Sequence, residues 1–283
     1  MIIDAHHHLG SEADYADKLV AECDKLGVKQ VWLMGLPDYG WSGSRNTRIQ
    51  EAFEKYPERL VGFGWVGLGR HRPSKVNELK DRGFRGLKFI QPTAPYDDRR
   101  FYPVYERAAE LGMPGLFHLG VVARHEGLKD RFINSNYMKP IHLDAIARVF
   151  PDWTMIGAHF GNPWHKEAGM CCRWNSNLYW DLSGSTLKCT PFDDMAEWLW
   201  WRRNSPYRDP LGRDAWEKIL FASDVPYTQI HDLINDYTML MDHLDLKKDM
   251  RDKIWYKTAQ SLLNPSRRKR KTVNPYPLAS SKK

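Results

Sequence analysis

Short apolar, β-rich runs alternate eight times with segments of helical periodicity, the 283-residue length suits one large unit, and histidines and acids recur where the runs end; together these predict an α/β chain folded as a (β/α)8 TIM barrel. The expected strands are Ile2–Ala5, Val31–Met34, Leu60–Val66, Gly86–Ile90, Gly115–His118, Thr154–Ala158, Leu178–Leu182 and Ile219–Ala222. The expected helices between and after them are Glu12–Leu26, Arg45–Tyr56, Pro73–Arg82, Phe101–Leu111, Lys139–Phe150, Trp164–Trp174, Pro191–Arg203 and Gln229–Leu240. Pro73 or Ser74 opens one helix, Gly27 and Gly112 close two, and Pro151 follows another. A doubly wound open sheet is the alternative, because a strand count by itself does not prove closure.

A last helix, Leu246–Leu263, is expected to pack outside the barrel. Beyond it the pattern changes. Residues 264–283 carry seven cations (Arg267, Arg268, Lys269, Arg270, Lys271, Lys282 and Lys283), no acid and no periodicity. The expected organisation is therefore a barrel over 1–263 and a basic extended tail over 264–283, either an arm that wraps a partner subunit or a solubilising tail.

The charge is informative once it is located. The chain has 42 Lys and Arg against 35 Asp and Glu, and the tail accounts for the whole excess of +7. A formally neutral body makes a phosphate-tracking surface, and hence a nucleic-acid partner, unexpected. An apolar share of 42% excludes a disordered chain. The longest apolar run, Val61–Leu68, is broken by glycines and falls well short of the roughly 20 residues a membrane span needs. The first residues show neither a basic region nor a small-residue cleavage site, and adjacent Cys171 and Cys172 suggest buried thiols rather than a bridge, so a cytoplasmic setting is expected.

Along a regular strand, His6, His8 and Asp4 would face one way and His7 the other. Two imidazoles on one face at the carboxyl end of a first strand form a bidentate metal pattern at the barrel mouth, although a surface histidine cluster has the same spelling. Three further residues strengthen the pattern. His118 ends the fifth strand, His159 follows the sixth and Asp224 follows the eighth. These groups are far apart in sequence and meet only if the barrel closes.

The Ile-Asp-Ala-His-His-His start, His118, His159 and the Ala-Ser-Asp-Val-Pro segment resemble the amidohydrolase superfamily, in particular the amidohydrolase-related branch that includes aminocarboxymuconate-semialdehyde decarboxylase. The resemblance runs from Met1 to Leu263. It implies one divalent ion, zinc first, with manganese, iron or cobalt as alternatives, held by His6, His8, His118 and Asp224, with His159 beside it as polariser or proton relay. Imidazole and carboxylate donors suit such an ion, which lowers the pKa of a bound water to about 7. Asp224 would then move the proton of the attacking water to the leaving group. Elsewhere in the superfamily a carboxylated lysine bridges two metals, and Lys88 on the fourth strand would make the site binuclear only if so modified. Otherwise Lys88 is a pocket cation for an anionic substrate or a buried salt-bridge lysine.

The loops expected at the mouth carry Trp41, Gln91, Tyr96, Arg124, His125, Asn162, Trp164, His165, Arg173 and Tyr227. Of these Arg124, His125, Asn162, Trp164 and Tyr227, together with Lys88, are the expected substrate contacts, suited to a flat, carboxylated small molecule. The Trp198, Trp200 and Trp201 run is expected to serve helix packing or a subunit contact.

The expected activity is hydrolysis of a lactone, ester or amide of a small organic acid by metal-activated water. The alternatives are non-oxidative decarboxylation of an aromatic or dienoic acid at the same residues, and a non-catalytic binding barrel. A homo-oligomer, a dimer first, is expected from the look of barrels of this kind.

Overall fold

The computed structural model describes residues 1–38, 42–122, 133–199, 209 and 211–263. Trp41, Arg124, His125, Trp200, Trp201, the expected end of the seventh helix at Arg203 and the 264–283 tail lie outside the described residues.

Eight parallel strands form one sheet in chain order: β1 (Ile2–His7), β2 (Val28–Met34), β3 (Leu60–Trp65), β4 (Gly86–Phe89), β5 (Gly115–Phe117), β6 (Met155–Gly157), β7 (Leu178–Asp181) and β8 (Ile219–Leu220). The ring closes where the Ala5 amide donates to Phe221 O at 2.9 Å and the Asp224 amide to His6 O at 2.8 Å. This is the (β/α)8 TIM barrel, and the open-sheet alternative falls with the closure. The last strand is shorter than expected because the Phe221 amide donates to Ile254 O instead of continuing the ladder.

The layer outside the strands is α1 (Tyr15–Leu26), α2 (Asn46–Lys55), α3 (Ser74–Asp81), α4 (Tyr102–Glu110), α5 (Ile141–Val149), α6 (His165–Trp174), α7 (Phe192–Trp198) and α8 (Ile230–His243). Gly27 stops α1 in a left-handed conformation, φ 72°, which an L side chain resists and glycine accepts freely. Alternation along each strand sorts the core in two. Val31, Leu33, Leu87 and Phe89 face the helices, whereas Trp32, Met34, Phe63 and Ile156 fill the barrel. Phe89 stacks on Phe117 with centroids 4.7 Å apart, and Tyr105 of α4 packs on both rings at 5.7 and 5.8 Å, locking α4 against β4 and β5.

The end of the chain differs from expectation. Residues 248–263 run as α9 (Lys248–Asp252), a π-helical turn (Lys253–Lys257) and α10 (Thr258–Leu263), and Ala259 and Leu262 pack with the barrel-interior Ile3, Ala5 and Trp32. Arg85, just before β4, donates to Leu263 O, which puts this helix at the amino ends of the strands. It therefore plugs the floor of the barrel rather than lying outside it, because the interior apolar side chains there need a cover. No helix among the described residues is long and apolar enough to cross a membrane. Cys23, Cys171 and Cys172 are free, buried thiols.

Candidate metal centre

The carboxyl ends of the strands carry local distortions that aim their side chains. A bulge between Asp4 and His7 in β1 resets the alternation set by interior Ile3 and Ala5. His6 consequently faces Lys88 and Asp181, while the Asp4 carboxylate turns to Ser223 and His7. The expectation that Asp4 shares a face with His6 and His8 is thus corrected: regular period-two alternation does not survive the extra residue. After β6, His159 and Phe160 hold φ 57° and 44°, and after β8 Asp224 holds φ 47°. Left-handed conformations of non-glycine residues cost about 1–3 kcal/mol each and persist where the surroundings over-determine them. Here the Asp224 amide is tied to His6 O and the His159 amide to Asp181 Oδ1 at 2.8 Å.

The side chains so aimed converge. His6 Nε2 lies 3.3 Å from His8 Nε2 and 3.8 Å from Asp224 Oδ1, His8 Nε2 lies 3.5 Å from the same oxygen, and His159 Nε2 lies 3.5 Å from Asp224 Oδ2. His6, His159 and Asp224 offer ligand atoms all within 4.8 Å of one another and could hold a metal ion. The His118 ring sits 4.9 Å from that of His159, and its buried Nε2 has no hydrogen-bond partner among the described residues.

The protonation pattern fits a cation. His8 Nδ1 faces Met34 O at 2.9 Å and His6 Nδ1 faces Asp181 Oδ2 at 3.1 Å, so both rings carry their proton on Nδ1. Their bare Nε2 atoms then stand 3.3 Å apart, with Lys88 Nζ 3.0 Å from that of His6, an arrangement of acceptors that a positive charge satisfies. Burial drives His8 and His118 well below the ordinary imidazole range and lowers His159, leaving neutral rings, the form that binds metals. Burial pushes the Asp224 carboxyl up, but electrostatic attraction to the surrounding His6, His8, His159 and Lys88 outweighs it and holds the group below its usual range. The convergent donors therefore suit a divalent ion, with His6, His159 and Asp224 within reach of one another and His8 and the orphaned His118 nitrogen next to them.

Lys88 arrives from β4, fully buried, with Nζ donating to His6 Nε2 at 3.0 Å. Burial lowers it to about 8 while Asp224 and Asp181 pull the other way.

Two supporting networks were not anticipated from the sequence. Asp181, the last residue of β7, accepts from His6 and from the His159 amide, and although burial raises its carboxyl, the His6 hydrogen bond, the His6 and His159 charges and Ser183 hold it below the usual range. The signal available was an acid at the end of an expected strand, in the same register as His118. In the second network Ser223 Oγ donates to Asp4 Oδ2 at 2.6 Å, His7 Nδ1 lies 2.9 Å from Ser223 Oγ, and His7 Nε2 lies 3.2 Å from Tyr15 OH. It joins β1, α1 and the β8 end just behind Asp224.

The expected substrate contacts divide. Asn162, Trp164 and Tyr227 lie on segments that follow β6 and β8, and their contacts run to Cys189, to Lys139 over the indole ring at 5.1 Å, and to Tyr15 at 5.1 Å between centroids. Tyr96 is buried, its hydroxyl donating to Phe89 O and His118 O. His165 and Arg173 do not line the mouth: both belong to α6, His165 stacks on Trp198 at 4.8 Å, and Arg173 donates to Trp198 O. The helical register turned them toward α7 rather than toward the strand ends, and Trp198 accordingly serves helix packing.

A family model described as Amidohydrolase matches residues 3–264. No curated protein matches the sequence. Among solved structures, an uncharacterised TIM-barrel protein from Bordetella bronchiseptica aligns with a TM-score of 0.73 at 19% identity, over 93% of this chain and 98% of that one. A probable 2-pyrone-4,6-dicarboxylic acid hydrolase from Acinetobacter baumannii, with citric acid bound, gives 0.64 at 15% over 93% and 99%. A dihydroxybenzoic acid decarboxylase from Polaromonas, with bound manganese and 2-nitroresorcinol, gives 0.60 at 16% over 93% and 96%. At such identities these likenesses speak to the fold; the family model, spanning every strand of the barrel, shows that the chain belongs to the amidohydrolase family.

Proposed function

We propose that residues 1–263 form a metal-dependent hydrolase that uses activated water to open a lactone, ester or amide of a small organic acid. The observation that carries this reading is the convergence of the His6, His8 and His159 Nε2 atoms on the Asp224 carboxylate at 3.5–3.8 Å, beside the orphaned His118 Nε2. His6, His8, His118 and Asp224 would hold one divalent ion, zinc first. The ion supplies Lewis acidity and lowers the pKa of water to about 7. Asp224 takes the proton of the attacking water and returns it to the leaving group, with His159 adjacent to Asp224 Oδ2 to share that proton. Lys88, buried and cationic, pairs with an anionic substrate group, and Arg124, His125, Asn162, Trp164 and Tyr227 complete the substrate contacts. A second ion enters only if Lys88 is carboxylated. A cytoplasmic homodimer with the 264–283 tail appended completes the reading.

Elemental analysis together with a screen of small lactones tests it. His118→Ala and Asp224→Ala should lose metal and turnover together, and turnover retained in a metal-free preparation refutes the mechanism. The second reading, decarboxylation of an aromatic or dienoic acid, draws on the barrel fold shared with the Polaromonas decarboxylase. Carbon dioxide released from hydroxylated benzoates, with no ring-opened acid from lactones, would establish it instead.

A further inference from the structure

We propose that Asp181 and Ser183 are positioning residues which fix the His159 imidazole with its proton on Nδ1, so that Nε2 enters the site as an acceptor. The order of protons follows from counting donors. Asp181 Oδ1 already accepts the His159 amide at 2.8 Å and the Ser183 amide at 3.1 Å, and Ser183 Oγ stands 2.6 Å from it. An oxygen receiving two N–H groups is an acceptor, so the single hydroxyl proton of Ser183 points to Asp181. Ser183 Oγ is then free only to accept, and the His159 Nδ1 that lies 2.9 Å away must be its donor.

The opposite carboxylate oxygen of Asp181 faces His6 Nδ1 at 3.1 Å. One buried side chain thus sets the ring orientation of two imidazoles from different strands, His6 directly and His159 through Ser183 and through its backbone. Such outer partners fix the tautomer and orientation of the rings that they hold. His159 Nε2, stripped of a proton, faces Asp224 Oδ2 at 3.5 Å, where two acceptors oppose each other until a cation or a proton comes between them. In the hydrolase reading, on which this consequence rests, His159 receives a proton or binds the ion; it is no neutral donor to a developing oxyanion.

The test is a long-range proton–nitrogen correlation spectrum of the full chain labelled with ¹⁵N-histidine, in metal-free and zinc-loaded forms, with the His159 signals assigned by their loss in His159→Gln. The wild-type metal-free chain should show His159 protonated at Nδ1 and bare at Nε2. Ser183→Ala should shift proton to Nε2 of His159 while leaving His6 as it was, and, where His159 itself binds the ion, should weaken zinc binding by about 10–100-fold, the range for loss of a ligand's outer partner. Ser183→Thr, which keeps the hydroxyl, should restore both. A wild-type His159 carrying its proton on Nε2, or a Ser183→Ala protein with unchanged tautomer and affinity, overturns the proposal. Should Ser183→Ala fail to fold, the wild-type spectrum decides alone. A chain that binds no zinc but shows the Nδ1 proton upholds this inference and removes the metal reading.

Discussion

Ser223→Ala probes the seam on which the centre is built. The hydroxyl lies between two buried ionisable groups, donating to Asp4 Oδ2 at 2.6 Å and standing 2.9 Å from His7 Nδ1. Its removal leaves the Asp4 carboxyl with the amides of Ser223 and His6 at 2.9 and 3.2 Å, and leaves His7 Nδ1 without its 2.9 Å partner. Losing a hydrogen bond to a charged group costs about 1.5–3 kcal/mol, and an unsatisfied buried donor about 1–3 kcal/mol. The two losses share one network and do not simply add, so the expected destabilisation is about 3–5 kcal/mol. In a chain of this size that corresponds to a fall in Tm of roughly 6–20 °C. Equilibrium urea unfolding on the alkaline side of the value of about 7 to which burial raises Asp4, where the carboxyl is charged, measures it, with Ser223→Thr as the control that keeps the hydroxyl. A loss below about 1 kcal/mol would mean that solvent or another group satisfies Asp4 and His7, and that the seam is not held in the way described.

Three further outcomes are expected. Burial raises Asp4 to about 7, against the Ser223 and His6 hydrogen bonds, so its contribution to stability is full below the unfolded value of 3.8 and is lost as pH rises through 7. Burial lowers His7 to about 4, so its contribution is present above 6.5 and lost as pH falls through 4. The two slopes oppose each other, and His7→Gln should expose the Asp4 slope as a stability that declines from pH 4 to 7 relative to wild type in a urea series; parallel profiles would refute it. Gly120→Ala places a methyl 2.0 Å from Asn162 O at a φ of 106° and should cost about 3 kcal/mol, seen as a lower urea midpoint; a neutral effect would contradict the close approach of these loops. Zinc or manganese added at about 100 times its Kd should stabilise the chain by about 2.7 kcal/mol, and this gain should vanish in His118→Ala; no shift with any divalent ion would count against the centre.

Sequence periodicity carried the architecture far. All eight strands were legible within a residue or a few at each end, because a parallel strand buried on both faces reads as a short apolar run whatever its neighbours. The placement of His118, His159 and Asp224 at strand ends was legible for the same reason, since chain order alone puts the carboxyl ends of parallel strands on one side of the ring. The Leu246–Leu263 segment was recognisable as helical, but its period does not say which apolar surface it covers, and the floor of the barrel exists only after closure.

Contacts across the ring obey no local period. The β1 bulge that sends Asp4 to Ser223 while His6 enters the barrel is an extra residue in a ladder, visible only against the partner strand. Asp181 and Ser183 acquire meaning when β7 comes beside β6 and within one strand of β1, and the retreat of His165 and Arg173 to Trp198 depends on how α6 meets α7. Residue types and their spacing thus specify which groups reach the mouth. Which of them touch, and which nitrogen of each imidazole holds its proton, is a matter of distances between segments on different strands and helices, and those distances are set by packing.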